Sequence, residues 1–257
     1  SGWRLGIDIG GTFTDVVAVS PDGVQRRSAK VPSKPHVPVQ AIVESIAAVG
    51  LGWDEVQEIV HGTTIVTNDI VENKFRPCAL ITTQGYADTI EVGRLSRRYL
   101  YRLDLEPKVR PLVPRELRFD VDERILADAS VHTALQGEQI DRVIAQIQAS
   151  GVDTVAVCLM HAFRNPAHEI ALGHRLRAVF PYVSLSHEIS PEIREFERMS
   201  STVLNAMMLA KIKSHLGKIE ERKPQGSRIY MMHSASGMAT PALIQERPLM
   251  LAMSGPA

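Results

Sequence analysis

Residues 4–20 carry two short apolar stretches, Arg4–Ile9 and Asp15–Ser20, separated by Gly10-Gly11-Thr12-Phe13-Thr14. So short a spacer between two strands leaves room only for a hairpin, and the chain must begin as an antiparallel pair. Pro21-Asp22-Gly23 is a second turn signal, and Val24–Val31 reads as a third strand. The pattern then changes to helical spacing. Pro38–Val49 places Val39, Ile42, Val43 and Ile46 on one face, and Gly50 closes it. Glu58–His61 reads as a strand, Thr64–Asn73 as a helix and Ala79–Thr82 as a strand. Three antiparallel strands followed by helix–strand–helix–strand predict an α/β fold with a mixed sheet and helices on its faces.

Gln84–Arg124 breaks the alternation with Pro107, Pro111, Pro114 and many arginines, and reads as a long irregular excursion with short strands. Alternation resumes with a helix at Glu138–Ser150, a buried strand at Thr154–Met160, a helix at Pro166–Phe180 and a strand at Tyr182–Ser186. Asn165-Pro166 has the form of a helix start, Asn as cap and Pro at the first helical position. Ser190-Pro191-Glu192 repeats it and is expected to open the longest helix, to about Ile219. Arg228–Met232 reads as a strand and Pro241–Gln245 as a short helix. The expected division is 1–83, 84–187 as an inserted α/β subdomain, and 188–257.

Composition excludes several classes. Lys+Arg and Asp+Glu both total 29, so the net charge is zero and a nucleic-acid partner is not expected. No apolar run reaches the roughly 20 residues of a membrane span, so no membrane partner is expected and a cytoplasmic chain is the default. Cys78 and Cys158 sit in apolar stretches with no Cys-x-x-Cys pair, which reads as two small buried hydrophobes. The nine histidines show no metal-ligand spacing.

The chemistry concentrates in Gly6-Ile7-Asp8-Ile9-Gly10-Gly11-Thr12-Phe13-Thr14-Asp15. Gly10 and Gly11 free the backbone to turn amide N–H groups toward an anion, and the Thr12 and Thr14 hydroxyls add donors. Asp8 and Asp15 bracket the turn. A carboxylate beside bound phosphate needs Mg2+ (or Mn2+) between them, or serves as a base. Because the glycines join strand to strand, this is neither a Walker loop nor a dinucleotide turn.

This decamer resembles the first phosphate motif of the sugar kinase, Hsp70 and actin superfamily. Its form is most similar to the hydantoinase A / 5-oxoprolinase / acetone carboxylase β-subunit family. The resemblance continues through His61-Gly62-Thr63-Thr64-Ile65-Val66-Thr67-Asn68, Leu80–Asp88 with Glu91-Val92-Gly93-Arg94, Pro111–Arg115, Arg164–Glu169, Glu195-Phe196-Glu197-Arg198 with Asn205-Ala206, and Ser254-Gly255-Pro256-Ala257. It implies an RNase H-like, actin-type ATPase lobe with an inserted α/β subdomain. The implied activity is that of the A-type subunit of an ATP-dependent cyclic-amide hydrolase, acting on hydantoin, 5-oxoproline or a lactam through a phosphorylated carbonyl. The alternatives are a β-type ketone carboxylase subunit and a non-catalytic scaffold.

The same resemblance implies that Asp8, Gly10, Gly11, Thr12, Thr14 and Asp15 hold the ATP phosphates and the metal, with Gly255 contributing to nucleotide binding. It also implies a B-type partner subunit and a C-terminal half carrying the second phosphate loop, so that this polypeptide alone is expected to bind nucleotide weakly.

His61-Gly62-Thr63-Thr64 falls at a strand-to-helix junction, where free N–H groups favour an anion. It reads either as a Thr cap beside a satisfied histidine or as a cleft wall presenting His61, Thr63 and Asn68 to substrate. Asp69 stands where relatives are expected to carry a small residue, signalling a changed substrate or a solvated face. Glu195, Arg198, Thr202 and Asn205 share one helix face. That row is either a wetted surface or, for Arg198 and Asn205, part of a cleft. Arg94, Arg97, Arg98, Arg102, Lys108, Arg110, Arg115 and Arg118 cluster with Tyr99 and Tyr101, as a solvated loop or a subunit interface. Ser234-Ala235-Ser236-Gly237 departs from the Ser-Asn-Gly-Gly type expected of relatives.

Overall fold

The structure is a computed structural model that describes residues 2–33, 38–96, 101, 104, 110–223, 225–234 and 237–252. The chain packs as two units, Ser1–Phe75 with Met208–Ala257, and Arg76–Met207.

The first unit is built on a six-stranded mixed sheet. In chain order it contains β1 (Trp3–Ile9), β2 (Phe13–Val19), β3 (Arg26–Pro32), α1 (Pro38–Ala48), β4 (Val56–Thr63) and α2 (Ile65–Val71). β1, β2 and β3 pair antiparallel in sequence, and β4 joins the other edge of β1 in parallel. Alternation sets the faces: Leu5, Ile7 and Ile9 on β1 and Thr14, Val16 and Ala18 on β2 are buried, whereas Gly6, Asp8 and Asp15 are exposed. Helix α1 buries Val39, Ile42 and Ile46 as its spacing predicts, but Val43 is 44% exposed and Ala41 and Ser45 complete the inner face. Gly50 takes φ +72 and donates its N–H to the Ala47 carbonyl, ending the helix in the left-handed geometry that glycine tolerates.

The second unit is a four-stranded, all-parallel sheet. It contains β5 (Ala79–Thr83), α3 (Thr89–Val92), β6 (Arg118–Val121), a small hairpin of β7 (Arg124–Ile125) and β8 (Val131–Thr133), α4 (Gly137–Ser150), β9 (Thr154–Cys158), α5 (Ala167–Arg177), β10 (Tyr182–Leu185) and α6 (Ser186–Ile189). The order is β10-β9-β5-β6. β5 and β9 are buried at every position, which explains their unbroken apolar runs. One core packs Ile140, Val143, Ile144 and Ile147 of α4 and Leu172 and Leu176 of α5 against Ile81, Val155 and Val157 of the sheet. Helix α5 begins one residue later than Asn165-Pro166 predicts: Pro166 is the cap, and Asn165 Oδ1 accepts from the Ala167 N–H at 3.1 Å.

The long helix α7 (Glu195–Arg222) gives its first residues to the second unit and Met208–Arg222 to the first. Its start corrects the sequence expectation. Ser190-Pro191-Glu192 does not open it, because Arg194 takes φ +79, a left-handed conformation that a helix cannot continue through. The chain closes the first unit with β11 (Arg228–His233), parallel to β4, β12 (Gly237–Ala239), antiparallel to β11, and α8 (Pro241–Glu246). The complete sheet order is β12-β11-β4-β1-β2-β3.

Candidate functional site

Asp8 and Asp15 are directly opposite each other across the β1–β2 pair, on the exposed face of the first unit's sheet. Like charges in that register repel. Burial first, and the facing Asp15 carboxylate second, hold the Asp8 carboxyl above its ordinary titration range. Lys30, opposite Asp15 on β3, lies 3.2 Å from its Oδ1. On the other side of Asp8, the register places Gly62 of β4 beside it. A methyl group at residue 62 would lie 2.9 Å from Asp8 Oδ1, so the carboxylate rests against the bare Gly62 α-carbon.

The turn itself is tight. The Gly10 N–H donates to the Phe13 carbonyl at 3.1 Å, and the Ser33 N–H donates to the Thr12 carbonyl at 2.9 Å. Neither Gly10 nor Gly11 has positive φ, so left-handed freedom is not what the pair supplies. At Gly10 a β-carbon would sit 3.0 Å from the Phe13 carbonyl oxygen, whereas at Gly11 it would meet open space. Gly11 and Thr12 are exposed at the tip. Thr14 is not: it is fully buried and its Oγ1 lies 2.8 Å from Ser33 Oγ, on the face opposite Asp8 and Asp15.

His61 and Asn68 do not join this face. His61 pairs with Ile7, shares its buried side, and is 0% exposed. Its Nε2 lies 3.4 Å from Nε2 of His215 on α7, and the rings stack with centroids 5.7 Å apart. Burial, then the neighbouring His215, push the His61 imidazole down to about 3; burial, with Lys211 and Lys218, pushes His215 down to about 4. Both are neutral rings. Asn68 is exposed on α2 and its Nδ2 donates to Thr64 Oγ1. Asp69 is 4% exposed and receives Lys211 Nζ on both oxygens at 2.6 and 2.7 Å, so it is a buried carboxylate paired with a half-exposed lysine and not a solvated face.

Arg198 and Asn205 are buried within the second unit, not on a wetted surface. Arg198 Nη2 donates to the Leu159 carbonyl at 2.8 Å, Nη1 to the Glu192 carbonyl at 3.1 Å, and the guanidinium lies over the Phe163 ring. Asn205 Nδ2 donates to Ser184 Oγ at 2.9 Å. Of the Arg164–Glu169 motif, His168 and Glu169 are buried, whereas Arg164 and Ala167 are exposed. Glu169, 0% exposed, accepts from the Leu159 N–H, Ser186 Oγ and the His187 N–H, with His187 Nδ1 at 2.7 Å. The Leu159 backbone is thus held at its N–H by Glu169 and at its carbonyl by Arg198. His168 Nδ1 lies 2.6 Å from Glu123, which also receives the Thr83 hydroxyl.

Of the basic cluster, Arg94 pairs with Glu197, and Arg115 and Arg118 with Asp88; Arg97, Arg98, Tyr99, Arg102 and Lys108 lie outside the described residues, as do Gly255, Ala235 and Ser236. Cys78 and Cys158 are free and buried, with burial raising both thiols, Cys158 to about 11. Among the described residues no helix is long and apolar enough to cross a membrane, and no cluster of three or more His, Cys, Asp or Glu could hold a metal by itself.

A family model for the hydantoinase/oxoprolinase N-terminal region matches residues 4–180. The chain belongs to the hydantoinase/oxoprolinase–acetone carboxylase family. It is 32% identical to the caprolactamase subunit alpha of Pseudomonas jessenii over 270 residues, covering 99% of this chain and 38% of that protein. The crystal structure of the ATP-dependent caprolactamase from the same organism superposes with a TM-score of 0.84 at 30% identity, over 98% of this chain and 38% of that one. The acetophenone carboxylase gamma subunit of Aromatoleum aromaticum is 30% identical over 260 residues, 91% of this chain and 35% of that one. The nucleotide-free acetone carboxylase structure shares the fold, with a TM-score of 0.82 at 23% identity over 99% of this chain and 39% of that one. The chain therefore spans about two fifths of the length of these relatives. They share its α/β architecture of mixed sheets with an inserted unit.

The sequence motif supplied the candidate residues of this family's loop but not their sides. It missed Gly62 as the neighbour of Asp8, and His215 as the partner of His61. Only the parallel β1–β4 register could have found the first.

Proposed function

We propose that this chain is the phosphate-binding portion of the A-type subunit of an ATP-dependent cyclic-amide hydrolase. The observation that carries the reading is the Asp8–Asp15 pair on the open sheet face beside the exposed Gly11-Thr12 tip. The 32% identity to caprolactamase subunit alpha supports the substrate class. The strand order β3-β2-β1-β4-β11, the first three antiparallel and the next two parallel to β1, supports an RNase H-like lobe.

The donor set suits a hard divalent cation. Two facing carboxylates with a single lysine nearby are under-compensated, and Mg2+ takes one or two carboxylates together with phosphate oxygens and water. Asp8 and Asp15 would hold Mg2+ or Mn2+, and bound with ATP the ion supplies neutralisation of phosphate charge. Gly11 and Thr12 would present donors to phosphate oxygens. Gly10 and Thr14 shape the loop, since the Gly10 N–H is committed to Phe13 and the Thr14 hydroxyl to Ser33. Arg198 and Asn205 fix the second unit's interior. Gly255 keeps its proposed nucleotide role on the resemblance alone.

The reaction uses ATP to make a poor electrophile reactive. The amide oxygen takes the γ-phosphoryl group and ADP leaves. Water then adds to the activated carbon, the ring C–N bond breaks, and a second water releases phosphate. A B-type subunit and the remaining length of the protein complete the enzyme in this reading. The 30% identity to acetophenone carboxylase gamma subunit favours a second reading, ATP-dependent ketone carboxylation. Assays of the full-length protein with its partner separate the two: ATP-dependent loss of hydantoin, 5-oxoproline or lactam, against bicarbonate-dependent consumption of acetone or acetophenone.

A further inference from the structure

We infer that Gly62 is a positioning residue for the Asp8 carboxylate, so that the missing side chain at 62 is a functional element of the phosphate–metal site. The inference rests on the reading of Asp8 given above. Gly62 is buried in β4 and is the direct parallel neighbour of Asp8. Its φ is not positive, so the backbone there does not demand glycine. What demands it is space. A methyl group at 62 would sit 2.9 Å from Asp8 Oδ1, 3.5 Å from Asp8 Cγ and 3.7 Å from Asp8 Cα, and these are its three nearest neighbours.

A β-carbon contact of 2.9 Å is not tolerated, and the end of a side chain yields before backbone does. The Asp8 carboxylate would turn away from residue 62 about its side-chain bonds, changing its direction relative to Asp15 on the face they share. Two carboxylates serve one cation only while both point to it, so the size of residue 62 sets whether the pair acts together. This gives the Gly62 of the His61-Gly62-Thr63-Thr64 motif a role toward the loop on β1, independent of any anion at the start of α2.

The test uses the full-length protein with Gly62→Ala, Asp8→Ala and the double variant. Binding of Mn2+ with ATP is read by electron paramagnetic resonance, and the melting temperature of each protein by scanning calorimetry. The expected result is at least a tenfold weakening of Mn2+ binding in Gly62→Ala. Its melting temperature falls relative to wild type, and the same change costs no melting temperature in the Asp8→Ala background, where the clash is gone. This cycle keeps the proposal testable if Gly62→Ala folds poorly. Wild-type Mn2+ binding by Gly62→Ala, or an equal loss of melting temperature in both backgrounds, overturns the positioning role. Undiminished Mn2+ binding by Asp8→Ala instead overturns the reading of the site itself.

Discussion

His61 and His215 stack in the interior of the first unit with their Nε2 atoms 3.4 Å apart, both held neutral by burial. A motif histidine that looks like a cleft residue is thus a core residue on the reverse side of the sheet from Asp8. The unfolded chain protonates each ring near 6.5, whereas the folded rings resist to about 3 and about 4.

Unfolding therefore takes up protons below pH 6.5, and stability falls as pH is lowered through the window from 6.5 toward 4. Each imidazole contributes a slope of up to about 1.4 kcal/mol per pH unit. Urea midpoints between pH 7 and pH 5 should decline in wild type, and the His215→Gln variant should decline less steeply. An identical slope in both proteins would count against the pair.

The Asp69–Lys211 contact is asymmetric, since the Asp69 side chain is 6% exposed and that of Lys211 50%. Lys211→Met strands a buried carboxylate and should cost about 1–3 kcal/mol of unfolding free energy. Asp69→Ala leaves a lysine that water solvates and should cost less. Denaturant titrations that reverse this order would refute the burial argument.

Arg198→Met removes the donors to the Leu159 and Glu192 carbonyls and should destabilise the protein by about 1–3 kcal/mol, chiefly from the buried Leu159 acceptor left unmet, since Glu192 is exposed. Mn2+–ATP binding by the folded fraction should stay at the wild-type level. Full thermal stability combined with lost nucleotide binding would instead assign Arg198 to the site.

The β1–β2 hairpin is legible because period-two alternation and a short Gly-Gly spacer act locally. The side on which His61 falls is not, because it depends on β4 pairing in parallel with β1 so that His61 meets Ile7 and Gly62 meets Asp8. The apolar run at Ala79–Thr83 announces a strand but not its sheet, and it pairs with β6 and β9 instead of the strands that precede it. Ser190-Pro191-Glu192 carries a helix-start signal that the left-handed Arg194 overrides. The polar row on α7 has the spacing of a wetted face. Backbone acceptors at Leu159 and Glu192, remote in sequence or across a break, let Arg198 be buried instead.

The central claim is that Asp8 serves ATP chemistry on the open face of the first sheet. Its most direct test is steady-state ATP hydrolysis by the full-length protein with its partner subunit, comparing wild type with Asp8→Asn, which preserves shape and removes the charge. The account predicts at least a hundredfold loss of turnover with a melting temperature that does not fall, since the charge removed is one that burial and Asp15 disfavour. Turnover within twofold of wild type would contradict it.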